Sequence, residues 1–91
     1  MIPLDKIMIK CDGLFWRNYD GEILIVRGDT SEVYMLNKVA SHIWEVVDGK
    51  ATIEDIIISI CDHFEVERQV AERDVNEFIS ELINKNLLRT A

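Results

Sequence analysis

The spacing of apolar residues changes character once along this chain, near residue 37. Before that point short apolar runs alternate with polar positions between turn residues, the pattern of strands. After it apolar residues recur every third or fourth position, the pattern of amphipathic helices. Leu14–Arg17 and Glu22–Val26 flank Asn18-Tyr19-Asp20-Gly21, and Asp-Gly accepts the positive φ angles of a tight hairpin turn. A second turn at Arg27-Gly28-Asp29-Thr30 leads into Ser31–Leu36, rich in residues that suit a pleated surface. Three antiparallel strands are the simplest reading; an earlier short strand around Ile7-Met8-Ile9 has no assigned partner. Alternation puts Tyr34 and Leu36 on one face of the third strand and Val33 and Met35 on the other. A two-layer fold buries the first pair and leaves the second needing cover, which the N-terminal segment could supply.

From Asn37 the period is helical. Asn37 suits an N-cap, and Val39, Ala40, Ile43, Trp44 and Val47 follow at helical spacing. Asp48-Gly49 is expected to end this helix, with Gly as the left-handed closing residue. Thr52 and Asp55 approximate a capping box ahead of a second helix burying Ile53, Ile56, Ile57, Ile60 and Phe64. Its isoleucines are poor intrinsic helix formers, so burial must hold it helical. A charged connection, Glu65–Gln69, precedes a third helix from about Val70 to Lys85, carrying Val75, Phe78, Ile79, Leu82 and Ile83 on one side. At 100° per residue, Asn76 and Ile83 lie on one flank of that stripe, and Phe78 and Lys85 on the other. Asn86 is placed to cap the end, with Leu87-Leu88 packing back on the core. The predicted architecture is α+β and winged-helix-turn-helix-like: a three-stranded antiparallel sheet followed by three helices, in one domain over residues 1–91 with its core at about 14–88.

Charge and size narrow the function. The formal charge is −7 over 91 residues, and residues 51–91 hold nine acidic against four basic side chains. Duplex nucleic acid and anionic membranes are bound largely through Lys and Arg, so both are disfavoured partners, whereas a basic peptide or a basic patch on an enzyme would be attracted. Cys11 and Cys61 are the only cysteines, no hydrophobic signal segment precedes them, and no apolar run approaches a membrane span. The chain therefore reads as cytoplasmic with reduced thiols. A core of this size suits a surface groove better than a large buried active-site cavity.

No catalytic constellation is visible. Cys11, His42, Cys61 and His63 supply the raw count for a metal site, but Cys61 and His63 lie about 200° apart around a helix, and no paired ligand spacing occurs. His42 is flanked by core positions and reads as a boundary histidine. The glycines stand alone in turns, so no phosphate loop is present. Trp44 sits at core spacing; Trp16, on a strand, could be core or could stack on a ligand. Neither enzyme activity nor a cofactor or metal is expected.

Leu36-Asn37, Ile43-Trp44, Asp48-Gly49, Thr52-Ile53-Glu54-Asp55-Ile56, Asp74-Val75 and Phe78-Ile79-x-x-Leu82, in this order and spacing, resemble the PqqD-like family. The resemblance runs from about Leu14 to Leu88. It implies a non-catalytic peptide-recognition domain that binds the leader of a ribosomally made precursor peptide and serves a radical-SAM enzyme or a leader peptidase. It further implies that the leader adds as a strand beside Glu32, Val33, Tyr34, Met35 and Leu36, against a helix wall that includes Asn76, Ile79 and Ile83. The physics agrees, since an exposed sheet edge supplies main-chain hydrogen bonds and side-chain pockets supply selectivity. The rival classes are a winged-helix DNA-binding regulator, which wants a basic recognition helix where this third helix carries Glu72, Asp74, Glu77 and Glu81, and an acidic carrier protein, which wants an Asp-Ser pair that the sequence lacks.

Overall fold

The computed structural model describes residues 2–91. Strand β1 (Met8–Lys10) is followed by β2 (Leu14–Tyr19), β3 (Glu22–Arg27) and β4 (Val33–Leu36), then by helices α1 (Lys38–Val46), α2 (Ile53–Phe64) and α3 (Arg68–Asn84), and by a last strand β5 (Leu88–Thr90). The expected three-stranded antiparallel sheet forms in the order β2-β3-β4. Its hairpin closes through Asp20 (φ 55°) and Gly21 (φ 89°) with Tyr19 opposite Glu22, a two-residue turn whose twist matches the strands. The early strand finds its partner at the far end of the chain: Met8, Ile9 and Lys10 face Thr90, Arg89 and Leu88 in antiparallel register. Among the described residues this N-terminal segment leaves the outer sheet face uncovered, with Phe15, Val33 and Met35 exposed.

Helix ends explain how the segments are fastened. Asn37 caps α1 by accepting the N–H of Ala40 at 2.9 Å. The α1 C-terminus departs from expectation: Val47 is the cap residue in an extended conformation, and Gly49, though at φ +83°, lies in the following loop. Closure comes from a distance, because the Lys10 ammonium donates to the Val47 carbonyl at 2.7 Å while lying 4.8 and 5.2 Å from the rings of Trp16 and Trp44. Burial lowers the Lys10 pKa, and Asp48 and Glu45 oppose that shift. Asp48 organises the loop by accepting the N–H groups of Lys50 and Ala51, bonds from Ala51 and then Lys50 that hold its carboxyl below the usual range.

The start of α2 satisfies its otherwise unpaired donors one by one. Ile53 N–H goes to the Lys6 carbonyl, Glu54 N–H to Leu4, and Asp55 N–H to the Thr52 hydroxyl, with the Asp55 carboxylate returning to Thr52 N–H. At the other end, α3 starts two residues earlier than expected and closes with Asn86 at φ 59°. Asn86 N–H donates to Ile83 and Leu87 N–H to Leu82, the paired bonds of a Schellman motif, which turn Leu87 and Leu88 into the core.

Ile23 and Ile25 of β3, Leu36 of β4, Ile43 and Trp44 of α1, Ile53, Ile56, Ile57 and Ile60 of α2, and Val75, Ile79 and Leu82 of α3 form that core with Met8, Leu87 and Leu88. One polar side chain, Ser41, is buried among them. Its hydroxyl accepts the N–H of Ile23 at 2.8 Å and donates to the carbonyl of Leu36 at 3.1 Å, bridging two strand groups where β4 leaves the sheet to become α1. Ser41→Ala leaves both groups buried without a partner, so unfolding in denaturant is expected to show a loss of about 1–3 kcal/mol with the midpoint lowered and the slope unchanged.

Candidate functional site

Strand β4 is an edge of the sheet, paired on one side with β3 and open on the other. Antiparallel strands alternate between residues that bond to the partner and residues that point away. Arg27 N–H donates to Glu32, and Ile25 faces Tyr34 two positions along, so Glu32 and Tyr34 spend their main-chain groups on β3. The N–H and C=O groups of Val33 and Met35 therefore point to the free edge. Side chains follow the expected alternation: Leu36 is buried and Tyr34 half-buried, while Val33 and Met35 are exposed on the outer face.

Beside this edge runs a groove of about 410 Å³ whose opposite wall is α3. Tyr34, Leu36, Ala40, Phe78 and Leu82 give it an apolar lining, and Asn37, Glu81 and Lys85 give it polar rims. Lys85 is held over the Tyr34 ring, 5.6 Å from its centroid, and pairs with Glu81 at 2.7 Å. Past Phe78 and Glu81 the groove continues between α1 and α3, with Val39 and Ile43 on one side and Asp74 and Glu77 on the other.

The helix wall differs from the expected one. Ile79 is wholly buried in the core. Asn76 is occupied elsewhere, its Oδ1 accepting the N–H of Ile2 at 3.0 Å and its Nδ2 donating to the Glu72 carbonyl at 2.7 Å. Ile83 is half-buried and lies on that same flank, so the side of α3 that looks at β4 is the one carrying Phe78, Glu81, Leu82 and Lys85. Of the residues expected from sequence, Val33, Tyr34, Met35 and Leu36 line the groove together. Glu32 lies just before β4, paired with Arg27 at 3.6 Å, and Asn76, Ile79 and Ile83 are not brought to the groove. Phe78 and Lys85 were visible in the sequence as a flank of the apolar stripe.

Arg27 had no sequence signal. Its guanidinium reaches from the end of β3 to the carbonyls of Lys85 at 2.6 Å and Asn86 at 3.1 Å, so it caps α3 and fixes the distance between that helix and the sheet. No three side chains of His, Cys, Asp or Glu gather to hold a metal ion among the described residues, and no helix there is long and apolar enough to cross a membrane.

A family model described as coenzyme PQQ synthesis protein D (PqqD) matches residues 22–88, a span that takes in β3, β4, all three helices and both walls of the groove. The chain belongs to the PqqD family. It is 34% identical over 59 residues to the PqqA binding protein of Gluconobacter oxydans (strain 621H), an alignment covering 65% of this chain and 62% of that relative. The chain thus spans less than two thirds of that relative's length. Among solved structures it superposes on TbiB1 in complex with the TbiA(beta) leader peptide with a TM-score of 0.80 and 30% identity, over 88% of this chain and 93% of that one. Lasso peptide synthetase B1 complexed with the leader peptide shares the fold at a TM-score of 0.74 and 20% identity, over 90% and 96% of the two chains.

A second hollow lies between the hairpin, α1 and α2, lined by Asn18, Lys38, His42, Glu45, His63 and Phe64 among others. His42 stacks on His63 with centroids 4.3 Å apart and shares a hydrogen bond with the Ser59 hydroxyl. Burial and then the His63 charge lower the His42 pKa, against an opposing pull from Glu45. A lowered value means that the unfolded chain takes up a proton at a higher pH than the folded one, so stability is whole above the ordinary histidine pKa and falls as pH drops through the folded value. Thermal melts are expected to show a decline as pH falls below ~6.5 that becomes shallower in His42→Gln. Arg27→Met should lower stability by about 1.5–3 kcal/mol, read as an earlier urea midpoint, because two helix-end carbonyls lose a charged donor.

Proposed function

We propose that this chain holds the leader segment of a ribosomally synthesised precursor peptide and presents it to a modifying enzyme, such as a radical-SAM enzyme or a leader peptidase, without itself changing the peptide. The observation that carries this reading is the open edge of β4 beside an apolar groove. An extended peptide laid along that edge gains main-chain hydrogen bonds from Val33 and Met35, and every second side chain turns into the space between Tyr34, Leu36, Phe78 and Leu82. Membership of the PqqD family supports it, as do a relative named for binding PqqA and structural relatives solved with leader peptides. They favour a peptide over a DNA duplex as the ligand, and the surplus of carboxylates on α3 points the same way.

The peptide-contacting set under this reading is Val33, Tyr34, Met35 and Leu36 on the strand with Phe78, Glu81, Leu82 and Lys85 on the helix. Strand addition fits a small domain because it requires no preformed cavity. Most of the specificity then rests on a short row of side chains, and the backbone supplies sequence-independent affinity.

Titration of the purified chain with its cognate leader is expected to give a Kd in the micromolar range or tighter, about −8 kcal/mol, with the peptide mass unchanged after incubation. Phe78→Asp places a charge where a bound peptide would strip away its water, and should weaken binding at least tenfold; because Phe78 also packs against the core, affinity is compared at a temperature where circular dichroism shows the variant folded. Asn76→Ala should bind normally. A covalent change produced by this chain alone, or normal binding by Phe78→Asp, overturns the assignment.

A further inference from the structure

The outer face of the three-stranded sheet is apolar and nothing in the described chain covers it. Register places Phe15, Val26 and Val33 in one row across β2, β3 and β4, and Arg17, Leu24 and Met35 in the next. Phe15 is 69% exposed, Met35 68% and Val33 57%, and Phe15, Arg17, Tyr19, Leu24 and Val26 line a shallow hollow of about 310 Å³. Contiguous exposed apolar surface of this kind marks an interaction site more often than isolated surface hydrophobics do. Two more observations say what fits there. Arg17, in the middle row, pairs with no carboxylate among the described residues, as Arg89 on β5 also does not, whereas Arg27, Arg68 and Arg73 do. The two ends of the face carry acidic residues, Asp20 and Glu22 at the hairpin and Asp29 at the opposite turn.

We infer that this face docks a second, different protein, through an apolar patch that carries a carboxylate for Arg17 and basic residues around its rim. A second copy of the chain is the wrong occupant: it brings another net charge of −7, and about a two-fold axis Arg17 would approach Arg17. Val33 and Met35 belong at once to this face and, through their main-chain groups, to the open edge of β4. A peptide added to that edge extends the same face by one strand, so a protein seated here touches domain and peptide together. Resting on the function proposed above, the docked protein is the catalyst that acts on the peptide.

The test begins with a photo-crosslinking amino acid in place of Phe15, in the chain expressed in its own host, with adducts identified by mass spectrometry. The protein captured is then purified and titrated against wild type, Phe15→Asp and Arg17→Glu. Phe15 and Arg17 lie on β2, the strand farthest from the peptide edge, so both variants should bind leader as wild type does and keep its melting temperature. The expected result is an adduct with a peptide-modifying enzyme whose affinity falls at least tenfold for both variants. An adduct with a second copy, no adduct, or a partner that binds both variants normally overturns the inference. Failure of the leader to bind wild type is a separate result that removes the peptide-holding role and leaves the crosslink to report on the face alone.

Discussion

A single buried hydroxyl decides where the sheet ends and the helices begin. Ser41 stands in the first helix yet completes the strand pairing, taking the N–H of Ile23 and giving its own proton to the carbonyl of Leu36. Those two residues face each other in register, and with the oxygen between them the chain can leave β4 and turn into α1 without stranding either group in the core. Asn37 sits at that corner as the helix cap. With α1 pinned against β3, the second and third helices pack on it, and α3 comes to lie alongside the edge of β4 at a distance set by Arg27. The groove follows from this geometry.

Much of this was legible along the chain because the relevant forces are local. The Asp20-Gly21 turn, the Asn37 cap, the Thr52–Asp55 box and the change of hydrophobic period each act within a few residues, and each appears where the sequence places it. What was hidden depends on partners far away in sequence. Leu88-Arg89-Thr90 is too short to show a strand alternation, and becomes a strand because Met8–Lys10 lies beside it. The first helix ends at Val46, where the ammonium of Lys10 meets the carbonyl of the cap residue Val47, so no glycine is needed at that point.

The groove shows the same division. Alternation alone identifies which side chains of β4 turn inward and which outward. An amphipathic stripe on α3 identifies the buried side of the helix, but both of its flanks border the core and the pattern cannot say which one looks at the strand. That choice is made by Arg27, whose guanidinium holds the Lys85 and Asn86 carbonyls, and by Asn76, whose amide is taken up by Ile2. Both bonds span more than fifty residues. Tertiary contacts carry the composition of the groove.

The pairing of β1 with β5 has a bearing on how the molecule assembles. Contacts between Met8 and Thr90 close nearly the whole chain into a loop, and closure entropy grows with loop length at ~0.6 kcal/mol per doubling. The β2-β3 hairpin and the helix pairs are local by comparison, so they can form first and bring the two end segments together. The short terminal sheet would then be the last piece to lock. The Lys6 and Leu4 carbonyls also occupy the leading amides of α2, and Cys11 N–H and Ala91 N–H bond across the same seam, so the segment that locks last fastens both the helix start and the terminal strands. β1 and β5 thus act as a latch on a structure whose β4 edge stays open.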